Sequence, residues 1–229
     1  MSERPGTSVL ASWPRAALTL LAILVLAAAA TVLAPGARAE TASSALRSYQ
    51  GGLIDVGGSE TCAIVIGGAL RCWGQGFFGS LGYGNTRDIG DDETPDTVGP
   101  VDLGPGRTAR AVAVGAFSHA CAILDNGSVR CWGEGFFGEL GYGGNIFHVG
   151  DDETPAAVAP VDLGPGRTAR AITAGGHHTC VIVDDGRVRC WGNGQQGAVG
   201  LGIAERIGDD ELPRDTRSEE RRVGKECRL

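Results

Sequence analysis

Several common features are scarce in this sequence. Its 229 residues include one lysine (Lys225), one methionine and ten prolines, and only 6% are aromatic. The 38 glycines never follow a strict every-third pattern, which excludes a collagen-like triple helix. Charged residues reach only 21%, against 42% hydrophobic residues, so the chain does not have the composition of a disordered protein. The formal net charge of −7 argues against a nucleic-acid-binding surface.

Catalytic patterns are lacking as well. The sequence contains no Ser/His/Asp arrangement, no phosphate-binding loop and no paired carboxylates outside one repeated acidic loop. A catalytic residue in a repeat protein is expected to be non-repeated, and none stands out. We therefore predict that the chain is not an enzyme and needs no cofactor.

Residues 1–39 have the features of a targeting segment. A basic start is followed by an apolar run over residues 16–34 and by Ala37-Arg38-Ala39, a pattern that predicts signal-peptide cleavage before Glu40. The apolar run is 19 residues long, so an uncleaved membrane anchor is the alternative. Either interpretation predicts export to the periplasm, the cell surface or the extracellular medium, where disulfides persist.

The C-terminal residues 217–229 differ from the rest of the chain. Residues 217–227 resemble the in-frame translation of a short-read sequencing adapter, and they contain the only lysine. We therefore expect a non-native tail and a native protein that continues past Thr216; a genuine charged tail is the alternative. Residues 40–216, which begin with a short linker at 40–49, carry a net charge of −11.

Residues 50–216 form three tandem repeats, the last of them truncated. Six cysteines fall into pairs ten residues apart that recur every 59 residues, and the second cysteine of each pair opens a Cys-Trp-Gly sequence. A fixed period of this length indicates a propeller, a solenoid or an array. The pairs are Cys62 and Cys72, Cys121 and Cys131, and Cys180 and Cys190.

Each cysteine pair flanks a predicted β-hairpin. In the second repeat, two apolar strands surround Asp125-Asn126-Gly127, a three-residue loop with glycine where positive φ is needed. Pairing Leu124 with Ser128 places Cys121 opposite Cys131, at a Cα separation of about 4.5 Å that permits a disulfide. We predict three such bridges, one in each repeat. Zinc binding is disfavoured because this spacing across a hairpin lacks further ligands.

Residues 115–141 and 175–200 share one pattern of glycine, histidine, cysteine and tryptophan, which residues 57–82 match less fully. This pattern resembles the regulator of chromosome condensation repeat, and the acidic loop and exposed-side cysteine pairs resemble its secreted bacterial branch. The resemblance implies an all-β fold, a β-propeller of usually seven four-stranded blades. Three repeats correspond to a partial propeller with open sheet edges.

The repeated residues have structural interpretations first. Trp73, Trp132 and Trp191 are predicted to pack between blades. His119 and His178 are predicted to make inter-strand hydrogen bonds, while the first repeat has Glu60 at this position. The acidic loops are predicted to be solvated, with calcium binding through carboxylate oxygens as the alternative. The calcium candidates are Asp91, Asp92, Glu93, Asp151, Asp152 and Glu153, with a third copy at Asp209, Asp210 and Glu211.

We expect an exported, non-enzymatic interaction module that binds a protein or a glycan through propeller loops. Phe77-Phe78 and Phe136-Phe137 lie either in the core or at a binding rim. The alternatives are a secreted enzyme inhibitor of the same fold and the propeller part of a longer enzyme. The family's eukaryotic role, nucleotide exchange on a chromatin-bound small GTPase, is disfavoured because chromatin binding needs a basic surface. No nucleic-acid contact is expected, and membrane contact only through an uncleaved signal segment.

Overall fold

The computed structural model describes residues 52–202 and 204–215. The predicted signal peptide, the linker at 40–49 and the tail at 217–229 lie outside these residues and stay predictions. Within the described range no helix is long and apolar enough to cross a membrane. Regular structure there consists of antiparallel strands and single 3₁₀ turns. The strands are β1 (Ile54–Val56), β2 (Glu60–Ile64), β3 (Leu70–Gly74), β4 (Ala109–Val114), β5 (His119–Leu124), β6 (Val129–Glu134), β7 (His148–Val149), β8 (Ala169–Ala174), β9 (His178–Val183) and β10 (Val188–Gly192).

Each repeat folds into one sheet, which is a propeller blade. Blade 1 contains β1, β2 and β3, blade 2 contains β4 to β7, and blade 3 contains β8, β9 and β10, each in chain order. The fourth strand is rudimentary. It has two residues in blade 2 and is reduced to the isolated bridges Gly74–Ile89 and Gly192–Ile207 in the other blades. The predicted all-β fold, a partial propeller, is confirmed.

The central hairpins have the predicted register. Cys121 lies opposite Cys131 and Ile123 opposite Val129. The loop closes through a 2.9 Å hydrogen bond from the Leu124 amide to the Ser128 carbonyl. Gly127 adopts φ 81°, in the left-handed region that a side chain would disfavour. The apolar strands and this turn therefore specify the hairpin locally.

The hydrophobic core lies between the blades. Strands β4 and β5 are buried almost throughout because blades 1 and 3 cover blade 2 on both sides. Ile54 and Val56 of β1 hold the positions of Val112 and Val114 in β4, but they are 61% and 64% exposed, whereas both valines are buried. Blade 1 therefore presents an uncovered apolar face.

Candidate functional site

The cysteine pairs lie at the centres of the hairpins. Their sulfur atoms are at bonding distance in all three blades, with Cα separations of 4.0–4.1 Å. The four cysteines of blades 1 and 2 are fully buried, whereas those of blade 3 are half-buried. The expectation of exposed-side pairs is therefore wrong for blades 1 and 2. The next blade covers them, as shown by Cys121 Sγ, which lies 3.7 Å from Thr179 Oγ1 of blade 3.

The tryptophans of blades 2 and 3 pack against the preceding blade. Trp132 Nε1 donates to the Ser80 carbonyl at 2.9 Å, and Trp191 Nε1 donates to the Glu139 carbonyl at 2.7 Å. Both indoles are fully buried, whereas Trp73 is half-buried. We call the contact of blades 1 and 2 around Trp132 the first junction, and the contact of blades 2 and 3 around Trp191 the second junction.

The two repeated histidines, His119 and His178, begin equivalent strands in blades 2 and 3. His119 is fully buried, and its Nε2 lies 3.2 Å from Thr179 Oγ1 in blade 3. Because that hydroxyl donates to the Glu139 carbonyl at 3.2 Å, the imidazole is the donor to it. Burial lowers the pKa of His119 to about 4, so it is neutral. His178 is half-buried, and its ring lies against Gly175, where a Cβ would come within 2.2 Å of it.

Three further polar side chains meet at the second junction. Glu139 is fully buried; its Oε1 lies 2.9 Å from His177 Nδ1, and its Oε2 accepts the Phe137 amide at 2.8 Å. Burial raises the pKa of the Glu139 carboxyl. Glu134, at the end of β6, completes a set whose ligand atoms lie within 4.8 Å of one another. We call Glu134, Glu139 and His177 the polar cluster.

The sequence interpretation missed the polar cluster, although a signal was present. Repeat alignment on the cysteines places Ser80 and Ala198 at the position of Glu139. The same alignment places Ser59 and Ser118 at the position of His177. Both residues are therefore non-repeated, which is the property expected of a functional residue in a repeat protein.

Exposed aromatic rings gather beside the first junction. The Phe78 ring stacks on His148 with centroids 4.8 Å apart, and it meets the edges of Phe77 and Phe136 at 5.1 and 5.7 Å. Phe77, Phe136 and Phe147 are 55%, 40% and 52% exposed. The first ring of each Phe-Phe pair therefore lies at a rim and the second is half-buried. We call Phe77, Phe78, Phe136, Phe147 and His148 the aromatic patch.

The acidic loops are held by an arginine that precedes the second cysteine of each repeat. Arg71 donates to the Pro95 carbonyl at 2.7 Å, and Arg189 donates to the Pro213 carbonyl at 2.8 Å. In every Asp-Asp-Glu loop the carboxylates lie within 4.8 Å of one another. Burial and the hydrogen bond with Asp210 raise the pKa of Glu211 to about 7. The solvated loop stays the prediction, with calcium binding as its alternative.

A family comparison decides the assignment of the blades. The model of the regulator of chromosome condensation (RCC1) repeat matches residues 109–139 and 169–198, which span most of the hairpins of blades 2 and 3. Blades 2 and 3 are RCC1 repeats. Blade 1 shares their sheet order and cysteine register.

Curated relatives contain the same RCC1 repeats in longer chains. The chain is 31% identical over 163 residues to the ultraviolet-B receptor UVR8 of Arabidopsis thaliana, covering 71% of this chain and 34% of the receptor. It is 30% identical over 156 residues to the human E3 ubiquitin-protein ligase HERC2, covering 67% of this chain and 3% of the ligase. The chain therefore spans about a third of the receptor and a small part of the ligase.

Solved structures support the RCC1 fold. The chain resembles Prp20p, the RCC1 protein of Saccharomyces cerevisiae, with a TM-score of 0.53 and 22% identity, covering 72% of this chain and 38% of Prp20p. Human WBSCR16 gives the same TM-score at 20% identity, covering 68% of this chain and 37% of that protein. Prp20p was studied for its binding to Gsp1p and histones.

Proposed function

We propose that the chain is an exported, non-enzymatic interaction module whose aromatic patch binds a protein. The observation that carries the proposal is the exposure of Phe77, Phe136 and Phe147 within one set of contacting rings. Aromatic side chains are enriched at protein interfaces because they bury a large area with few rotatable bonds. Two blades contribute to the patch, so the propeller fixes its shape.

Charge around the patch indicates the character of the partner. The loop that carries Phe77 and Phe78 packs closely on the acidic loop of blade 2, since a Cβ on Gly79 would come within 2.2 Å of the Asp151 amide. The loop that carries the apolar rings therefore adjoins the acidic loop. A partner segment with apolar and basic side chains complements this surface, and its association should weaken with salt.

Export is supported by the three cysteine pairs at bonding distance, because disulfides persist in oxidising compartments. The predicted signal segment lies outside the described residues. A direct check is to express the whole gene in its native host and to determine the N-terminal residue of the exported protein. Cleavage is expected before Glu40, and a product that keeps residues 1–39 in the cytosol would contradict export.

The binding proposal is tested by capturing partners from the host's exported proteins with the full chain. Phe77→Ser and Phe136→Ser together should abolish capture of the specific partner. Ile66→Ser is the matched control, because Ile66 is 93% exposed at the tip of the first hairpin and does not belong to the patch. Capture that survives the double substitution would contradict the proposal.

A glycan is the other predicted ligand, and the same variants discriminate it. Binding to a glycan array that is lost in the Phe77→Ser and Phe136→Ser double variant, with no protein captured, would replace the protein partner by a carbohydrate. A partner that binds the acidic loops alone gives the opposite result. Its binding would be lost when Asp91 and Asp151 are replaced by asparagine, and it would be kept in the double phenylalanine variant.

A further inference from the structure

The polar cluster is present at the second junction only, and the contact between two blades forms without it at the first junction. The first junction places Gln75, Ser80 and Ser118 where the second junction has Glu134, Glu139 and His177. Both junctions nevertheless make the same tryptophan-to-carbonyl hydrogen bond. Blade packing at the first junction therefore works with neutral side chains. The two carboxylates and the imidazole of the second junction are not required for packing and need another explanation.

The donor set is that of a transition-metal site. Two carboxylates and one imidazole offer ligand atoms that all lie within 4.8 Å of one another. Zinc and related divalent ions take such nitrogen and oxygen ligands at about 2.0–2.2 Å. The imidazole favours these ions over calcium, which prefers oxygen ligands alone.

The ligand atoms are held in place by their surroundings. The Glu139 side chain is fully buried, and the Phe137 amide fixes its second oxygen. The His177 ring stacks on Phe117 with centroids 4.4 Å apart and contacts Phe137 at 4.7 Å. Hydrogen bonds to ligating carboxylates and fixed imidazole orientations are what metal sites require outside the ligands themselves.

The cluster is also accessible to an ion. The His177 side chain is 26% exposed and Glu134 is half-buried, so one side of the cluster faces solvent. A buried carboxylate such as Glu139 is costly unless a positive charge or hydrogen bonds compensate it. A divalent cation supplies that charge at a place where two blades meet.

We propose that Glu134, Glu139 and His177 bind one divalent ion of the zinc class across the second junction. The ion takes the place of the hydrogen bond between His177 Nδ1 and Glu139 Oε1, and the neutral imidazole then carries its hydrogen on Nε2. Water completes the coordination on the exposed side. Because the ligands come from blades 2 and 3, the bound ion joins the two blades and stabilises their contact.

The test uses the full chain carrying Cys227→Ser, which removes the seventh cysteine as a competing zinc ligand. Zinc chloride is titrated into the metal-free protein by calorimetry in excess calcium chloride, so that calcium competes at the acidic loops. One equivalent should bind. The variants His177→Ser and Glu139→Ser place the first junction's serine at each position. Each should weaken zinc binding by about 100-fold or more, because losing only a residue that hydrogen-bonds a metal ligand already costs up to about 100-fold.

Asp92→Asn is the matched control, since it removes a carboxylate from an acidic loop and should leave zinc affinity unchanged. Should Glu139→Ser not fold, the part-exposed His177→Ser variant carries the test. As a second readout, cobalt(II) should give visible absorption bands that disappear in His177→Ser. Failure of the wild type to bind one equivalent, or unchanged affinity in both serine variants, would overturn the proposal while leaving the aromatic-patch proposal untouched.

Discussion

The two junctions share a scaffold and differ in chemistry. In both, a buried tryptophan donates to a carbonyl of the preceding blade, at 2.9 Å from Trp132 and at 2.7 Å from Trp191. The first junction surrounds this bond with serines and an exposed aromatic patch. The second surrounds it with the polar cluster and with the His119–Thr179 contact, which Glu60 and Ala120 cannot reproduce at the first.

This difference separates two kinds of residue in a repeat protein. Residues that recur, such as the tryptophans and the arginine before each second cysteine, fix the blade and its contact with the next blade. Residues that occur once, such as Glu139 and His177, add a property to one junction only. Functional residues in this fold are therefore best sought among departures from the repeat.

Removing the junction tryptophans should have the largest effect. Trp132→Ala and Trp191→Ala each delete a fully buried indole and leave a cavity, which costs about 3–5 kcal/mol. Trp73→Ala is the matched control, and its cost should be clearly smaller because Trp73 is half-buried. Urea unfolding of the full chain measures all three, and equal losses would show that the junctions do not govern stability.

Acid should weaken the second junction through His119. The folded pKa of about 4 lies below the ordinary value of 6.5, so the unfolded chain binds more protons between these values. The His119 contribution to stability is therefore complete above pH 6.5 and is lost progressively down to about pH 4. The total approaches about 3 kcal/mol, since one pKa unit corresponds to about 1.4 kcal/mol.

The difference between wild type and His119→Gln isolates this contribution from those of other groups. The variant keeps an amide N–H that can donate to Thr179 but has no titratable ring, so its stability should fall less between pH 6.5 and pH 4. Parallel stability curves for the two proteins over this range would contradict the assignment.

Local patterns in the sequence predicted most of the fold. The Asp125-Asn126-Gly127 turn set the hairpin register, because glycine satisfies the positive φ and the Leu124 amide closes the loop on the Ser128 carbonyl. The cysteines therefore face each other as predicted. The fourth strand was beyond such reasoning, since β7 has two residues and its counterparts are single bridges that depend on the folded blade.

The candidate sites were less predictable because they form between blades. Glu139 and His177 are 38 residues apart and meet only when blade 3 packs on blade 2. Phe77 and Phe136 were singled out from the sequence, but their exposure depends on where the neighbouring loop ends. Burial of the cysteines in blades 1 and 2 follows in the same way from the next blade, which a single repeat does not reveal.

The disulfides should respond to the asymmetry of the blades. Under limiting reductant, the half-buried pair Cys180–Cys190 should be reduced first, because the pairs of blades 1 and 2 are fully buried. Each bridge closes a short loop and contributes about 2–3 kcal/mol. Alkylation followed by peptide mass measurement gives the order. Labelling of the six repeat cysteines without reductant would refute the bridges themselves.

The smallest loss of stability is expected for Arg206, which covers Phe137 at the second junction. Arg206 lies over the Phe137 ring at 4.8 Å, the place that His148 takes over Phe78 at the first junction. Arg206→Ala should cost about 0.5–1 kcal/mol, the value of an exposed cation–π contact, while Arg206→His should restore part of it by stacking. Urea unfolding resolves this difference only if both variants keep the wild-type dependence on urea. Equal stability of Arg206→Ala and wild type would show that the arginine is solvated and does not stabilise the second junction. The ring that covers the second phenylalanine of a pair would then contribute to stability only at the first junction, through His148.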